Sequence, residues 1–562
     1  MTAITTEVTK TAVLDEAHVG DIHGAFGTIR LGDTGARTTL SARLKTLLAI
    51  VGPGLIVMVG DNDAGAFSTY GQAGQNYGTH LLWTLLLLVP VLYVNQEMVL
   101  RLGAVTGVGH ARLILNRFGK FWGAFSVIDL FLLNALTIMT EFIGITLAAG
   151  YLGLPKVLAV VAAALIIIAS AFTGSFRRFE RIALTFCIGS LLLIPLYFIT
   201  HPSSSSMASG FAIPTLPGGS GGMATVMLLI IGIVGTTVAP WQLFFQQTYV
   251  NDKRITPRFM RYEKTDLWIG IVIVVVGAAA LMGATAAAFA ATTGAGNFTD
   301  AEGLARGIAA HSGHMAGLIF AIALLDASVI GAFAVSLSSA YAISDVLGLR
   351  HSLHRGIGQA KGFYAVYGAL IGGAAAIVLL PGSPLGLITE GVQVLAGVLL
   401  PSATMFLLLL CNDREVLGPW VNGRAVNLFT SAVIAVLIIM SVVLTASVLF
   451  PAITSGQIVA IMAISAGVAV TVGAGWLIRT MRHNGQANSP SSSLSAATGT
   501  EILGGEGDGA PVDKVSWRMP PLAELSAPAI AGVRKWGLLS MRSYLAVAMV
   551  LVIVKIVMLA VH

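Results

Sequence analysis

The chain is short of charge. Only 10% of its 562 residues are Asp, Glu, Lys or Arg, against about 25% in a soluble globular domain, which excludes a molecule that meets water on every side. Cysteine is nearly absent: Cys187 and Cys411 stand far apart, in or beside apolar stretches, so neither a disulfide framework nor a zinc-ligand spacing is present. There is no H-E-x-x-H helix and no comparable pairing of base and nucleophile. The eleven histidines fall mostly in tails and loops, HSGH at 311–314 among them, and the chain does not read as an enzyme or as holder of a cofactor. The net charge of +6 and pI near 9.3 come from Lys and Arg dispersed over short loops, so no nucleic-acid partner is expected. Residues 1–45 lack an apolar core followed by a small-residue cleavage site and are expected to be a partly disordered cytoplasmic tail.

What the chain has in abundance is apolar sequence: 56% hydrophobic residues and a mean hydropathy of +0.85. Runs of about 20 apolar residues recur from residue 47 onward, the length of a transmembrane helix. A β-barrel would show short alternating segments instead. The fold class is all-α, a polytopic membrane protein whose solvent partner is the lipid bilayer.

Hydropathy predicts twelve spans near 46–76, 80–103, 121–150, 155–173, 181–200, 222–250, 265–293, 313–347, 361–381, 386–411, 426–450 and 456–480. A thirteenth is predicted at 541–561, beyond a Ser-, Gly- and Ala-rich stretch at 483–540 that reads as a flexible cytoplasmic linker. Lys555 inside that last helix is placed to snorkel. Basic residues fill every second loop, for example Arg101, Arg112, Arg117 and Lys120, then Arg177, Arg178 and Arg181. The intervening loops, HPSSSSMASG (201–210) among them, are nearly free of Lys and Arg. The positive-inside rule then puts the N-terminus in the cytoplasm, with a bacterial inner membrane as the expected location.

Two spans are interrupted. GDNDAGAFSTY (60–70) puts Asp61, Asn62 and Asp63 inside the first, and GIVGTTVAPWQ (232–242) puts Gly232, Gly235 and Pro240 inside the sixth, where Gly and Pro weaken a helix. The breaks fall at matching positions of two five-span units, 46–200 and 222–411. An odd number of spans inverts the second unit relative to the first. Paired broken helices in inverted repeats are the sequence pointer to a secondary transporter with its site near the membrane midplane. Spans 11 and 12 (426–480) lie outside the repeats. Unwound backbone and a carboxylate are both tolerated at that depth where they line a watery cavity, so Asp63 is expected to face a hydrated cation.

These residues resemble the Nramp family of divalent-metal transporters. GPGLIVMVG (52–60), the broken-helix Asp-x-Gly, QNYG (75–78), LLWTLLL (81–87) and RLGAVTG (101–107) match its first two spans in order, and the likeness covers about residue 46 to at least 411. The resemblance implies a leucine-transporter-type fold of five plus five inverted helices. The family's Asp-Pro-Gly-Asn is Asp63-Ala64-Gly65-Ala66 here, and its Met-Pro-His is Ala239-Pro240-Trp241. The family's metal ligands then map to Asp63, Ala66 and Ala239, with Gln393 in GVQVLAGVLLP at the tenth-span Gln position.

The departures set the expected substrate. Without the thioether the preference for soft ions is lost, and two methyl groups widen the cavity. An oxygen-lined site suits Mg²⁺, which keeps several waters. The pattern resembles the Nramp-related magnesium transporter branch, with Mn²⁺ as second substrate. Asp61 is expected either to reach the hydrated ion through water or to rim the cavity mouth. Gln242 and Asn62 flank the breaks as cavity-lining or capping groups, and Asp326 in FAIALLDASVIGA lies deep in the eighth span as a possible part of the ion path. In the family, proton coupling implies a sixth-span His and third-span acids. Trp241 replaces the His and Ile138 the Asp, while Glu141 is retained, so uncoupled uptake driven by membrane potential is expected, with Glu141 in a structural hydrogen bond. A conventional proton-coupled Mn²⁺ or Fe²⁺ importer, an aluminium-type carrier and a passive channel stand as alternatives. A monomer is expected.

Overall fold

In hydrocarbon every backbone N–H and C=O must be satisfied within its own segment, and the long apolar stretches accordingly close into helices. The computed structural model describes residues 16–217, 222–380, 385–449, 453–454, 456–471 and 514–526. Among these, nine helical segments are long and apolar enough to cross a membrane, or ten if the bent pair Leu40–Ile50 and Pro53–Val59 is one span. The fourth and twelfth predicted spans are shorter apolar helices, Lys156–Ala171 and Gly456–Thr471. The first consists of two pieces, Pro53–Val59 and Ala64–Tyr77. The end of the twelfth span and the helix predicted at 541–561 lie outside the described residues.

The two broken spans occupy the middle of the bundle. Ala64–Tyr77 packs against spans 3 (Lys120–Tyr151), 7 (Met260–Phe289) and 10 (Leu385–Cys411) and against the first half of span 6, Gly222–Thr237. Span 8 (His314–Leu347) lies along span 3 and against the second half of span 6, Pro240–Asp252. The outward faces are apolar, as lipid contact requires: Ile188, Ile194 and Phe198 of span 5 and Leu428 and Val436 of span 11 are exposed.

The first span has a second discontinuity that hydropathy did not reveal. Leu40–Ile50 meets Pro53–Val59 at a 54° bend. The bend is held by charges placed as the helix dipole asks, a cation at a C-terminus and an anion at an N-terminus. Lys253 Nζ donates to the Ile50 and Val51 carbonyls at 2.6 and 2.8 Å, while Asp266 Oδ2 accepts from the Gly52 and Gly54 amides at 3.1 and 2.7 Å. Lys253 also pairs with Glu180 at 2.6 Å, both side chains fully buried. Gly52 is required here twice over: its φ of +154° disfavours other residues, and a Cβ would overlap the Glu180 carboxylate.

Part of the expected disordered tail is built onto this cluster. Ile22–Gly24 and Gly27–Ile29 form an antiparallel hairpin with Ile22 opposite Ile29. Its turn donates from Ala25 N–H to Glu180 Oε2 at 2.6 Å, and Arg177 and Arg181 donate to the Gly24 and Ala25 carbonyls. The segment orders because buried charges need exactly such backbone partners, a requirement that composition does not report. Within the expected linker, residues 514–526 likewise pack onto the bundle: Trp420 Nε1 donates to the Lys514 carbonyl at 2.7 Å, Arg117 to that of Ser526 at 2.6 Å, and Met519 is buried.

Two histidines in the loop after span 8 respond to their surroundings in opposite ways. Burial works against a charge on His351, yet the Asp345 carboxylate, 3.2 Å from Nε2, prevails and pushes it up to about 9. Burial lowers His354 to about 4. A raised histidine contributes stability below its ordinary value of about 6.5 and loses it as pH climbs through the folded value. A lowered one contributes above 6.5 and loses it as pH falls. Thermal unfolding should therefore be most resistant near neutral pH; His351→Gln should abolish the decline on the alkaline side and His354→Gln that on the acid side, as read from melting curves between pH 4 and 9.

Candidate metal-ion site at the paired helix breaks

Both breaks end one helix and start another within a few residues. Pro53–Val59 closes with Gly60 N–H bonded to the Ile56 carbonyl at 2.9 Å, and Asp63 caps Ala64–Tyr77 by accepting from Ala66 N–H at 2.9 Å, as a helix N-cap does. In span 6, Val238 N–H still reaches the Val234 carbonyl at 2.9 Å. Pro240 then opens the next helix at its first position, where a missing N–H costs nothing. Span 6 is buried through this region on all sides, Ala239, Trp241 and Gln242 included.

The three polar residues of the first break diverge. Asp63 points toward Glu141 of span 3 and lies against Gly331 of span 8. Glu141 stands beside it and accepts from Ala64 N–H through Oε2 at 3.1 Å, its Oε1 having no hydrogen-bond partner. The structural hydrogen bond expected of Glu141 is therefore made, and the same carboxylate borders the site. Gln393 comes close enough to Gly65 that a Cβ there would overlap its amide, and its Nε2 is unpaired. Span 10 thus touches both breaks, because the Gln393 carbonyl also lies against Gly235.

Asp61 turns the other way. It is fully buried, beside the Gln242 side-chain amide and within electrostatic reach of Asp63. It does not rim a cavity mouth: the unwound backbone carries it inward, toward span 6. Gln242 accepts from Gln96 Nε2 at 3.0 Å and has its amide beside Asp61. Tyr70 and Thr237 tie the two broken spans together at 2.7 Å. Asn62 takes a third direction, donating to the Val274 carbonyl of span 7 at 3.3 Å.

Ala66 and Ala239 are buried and bring only methyl groups and backbone atoms to the breaks. Trp241 fills the space beneath Gly60 and packs on Phe245. Asp326 lies against Gly189 of span 5 and lines a small cavity on the Asn62 side of the first break, with neither Asp63 nor Ala239 in its lining. Sequence reasoning passed over Gln96, Gln246, Tyr70 and Thr237. Gln96 and Gln246 are buried amides in apolar spans, and Gln246 has no partner for either side-chain atom; that polarity was the available signal.

Among the described residues no group of three or more His, Cys, Asp or Glu is arranged to hold a metal. What the breaks offer is two carboxylates, side-chain amides and helix-end carbonyls. Such a donor set suits a hard or borderline cation that is held loosely enough to leave.

The comparisons with known proteins agree with this architecture. The sequence model of the family described as "Natural resistance-associated macrophage protein-like", Nramp, matches residues 54–447. The "Divalent metal cation transporter MntH" of Ralstonia nicotianae is 30% identical over 409 residues, covering 69% of this chain and 88% of its own length. The protein of the same description from Pectobacterium carotovorum is 25% identical over 71% of this chain and 94% of its own. The crystal structure of the Eremococcus coleocola manganese transporter, in complex with an aromatic bis-isothiourea substituted compound, superposes with a TM-score of 0.60 at 20% identity. It covers 80% of this chain and 98% of that one, and so shares the fold. A helical bundle with two central broken spans, matched by the family model over most of its length, places this chain in the Nramp family of multi-pass membrane transporters.

Proposed function

We propose that this protein imports divalent metal ions by alternating access, with the ion held between the breaks of spans 1 and 6. Mn²⁺ is the substrate that the relatives support, since the names of the MntH proteins and of the Eremococcus coleocola transporter specify divalent metal and manganese. Mg²⁺ is the further substrate that the altered cage admits. The observation that carries this reading is that two buried carboxylates, Asp61 and Asp63, stand within electrostatic reach of each other at the first break, with methyl groups at Ala66 and Ala239. Charge attracts the ion, and the missing amide and missing sulfur leave room and oxygen for retained water. Gln393 and Gln242 border the cage with their side-chain amides. Residues 46–200 and 222–411 act as the two inverted repeats, in a bacterial inner membrane with the N-terminus inside.

Coupling has two readings, each with its own observation. Trp241 and Ile138 cannot exchange a proton, which favours uptake driven by voltage alone; a divalent cation gains about 4.6 kcal/mol per 100 mV, twice the single-charge value. Glu141, buried beside Asp63 with one oxygen unpaired, favours the conventional proton-coupled carrier, as does membership among MntH relatives.

Three measurements in proteoliposomes test these statements. Millimolar Mg²⁺ should suppress Mn²⁺ uptake by wild-type protein; uptake indifferent to Mg²⁺ leaves Mn²⁺ as substrate and removes Mg²⁺, and Asp63→Ala should reduce uptake to the level of empty vesicles in either case. A pH-sensitive dye inside the vesicles should stay constant during metal entry if transport is uncoupled, whereas metal-dependent acidification that Glu141→Gln abolishes would establish the conventional mechanism. Gly65→Ala should lower the apparent metal affinity about 10- to 100-fold, the usual effect of misplacing a supporting ligand, because the added methyl displaces the end of Gln393 and presses on Asp63 Oδ1.

A further inference from the structure

Asp326 is absorbed by none of this, and its surroundings are specific. It belongs to span 8 and lines a small cavity with Asn62 of the first break and Ser190 of span 5, walled by Val59, Leu193 and Ile330. Span 5 departs from α-helical form at this level: Phe176–Gly189 gives way to a 3-10 turn at Ser190–Leu192 before Leu193–Thr200 resumes. Gly189 permits the approach, for a Cβ there would overlap the Asp326 carboxylate. No cation among the described residues pairs with Asp326, and no hydrogen bond to its carboxylate is seen.

The second observation comes from Asn62. Its Nδ2 is spent on the Val274 carbonyl, while Oδ1 is buried without any partner, in a residue only 3% exposed. An orphaned amide oxygen costs about 1–3 kcal/mol, so it marks a place where something else completes the coordination. Ser190 Oγ donates to the Cys187 carbonyl at 2.8 Å and keeps acceptor capacity. Residues that carry a carboxylate, an amide and a hydroxyl oxygen, on three spans, therefore line one cavity. All are hard donors, and their summed charge is −1.

We propose that Asp326, Asn62 and Ser190 form a second cation site, separate from the divalent-ion cage, that binds a monovalent hard cation of the Na⁺ class. Charge decides the valence: one carboxylate in a low-dielectric setting is neutralised by a single positive charge, whereas a divalent ion would leave an uncompensated charge buried. Donor number decides against a bare proton, which one carboxylate oxygen satisfies and which would leave Asn62 Oδ1 still orphaned. The site joins the break in span 1 to the distorted turn of span 5 and to span 8. An ion there would hold these three elements together without touching the divalent cage.

The test uses the purified full-length protein in detergent, with radioactive Na⁺ as probe in choline chloride and no divalent metal, so its outcome is independent of the transported ion. Wild-type protein should bind Na⁺ saturably, Asp326→Asn should bind at background, and Ser190→Ala should bind about tenfold more weakly. A wild-type protein that binds no Na⁺, or an Asp326→Asn variant that binds as wild type does, overturns the site; the first result would leave Asp326 as a proton carrier. Should Asp326→Asn fail to fold, the melting temperature decides: it should rise with NaCl over choline chloride of equal ionic strength in the wild type, by linkage, and rise less in Ser190→Ala. Equal shifts in the two proteins refute the proposal.

Discussion

Interrupting a helix inside a membrane frees backbone groups that lipid cannot satisfy, and the rest of this bundle is arranged around that constraint. The first break answers it locally, with Asp63 capping the helix it precedes and Glu141 taking the Ala64 N–H that the cap leaves over. The second answers it by chemistry, since Pro240 has no N–H to satisfy. What remains are carbonyl ends and carboxylates facing inward. Spans 3, 7, 8 and 10 pack around the first broken span and spans 3, 8 and 10 around the second, so these groups are kept from hydrocarbon. The helices can fail there only because they are enclosed.

The same electrostatic logic recurs at the end of the bundle that carries the basic loops. Lys253, at the end of span 6, and Asp266, near the start of span 7, hold the bend before Pro53 by complementing the two helix ends that meet there. Glu180 links that pair to span 5 and to the hairpin at residues 22–29. These buried charges are worth little as isolated pairs, since desolvation offsets most of their attraction; their consequence is geometric. Spans 1, 5, 6 and 7 and the N-terminal hairpin meet in one hydrogen-bonded cluster.

The divergence of Asp61, Asn62 and Asp63 has a functional consequence. Three consecutive residues on a helix would fan out by a regular 100° step, but on unwound backbone each takes the direction that its neighbours allow. Asp63 meets Glu141 of span 3 and Gly331 of span 8, Asp61 meets span 6, and Asn62 meets span 7 and the cavity under Asp326. One short break thus addresses several spans at once.

Much of this was legible in the sequence. The helical class, the span positions and the two breaks follow from hydropathy, Gly and Pro, which are local properties and leave a local trace; the family motif marked Asp63, Gln393 and Ala239 for the same reason. Which way Asp61 faces, that Glu141 reaches Ala64, that Gln96 and Gln246 lie buried by the site, that Asp326 sits against Gly189, and that residues 22–29 fold as a hairpin were decided only by the tertiary structure. The physical reason is that unwound backbone has no period to read, and a buried polar group is placed by partners far along the chain, 214 residues away for Asp266 and Gly52.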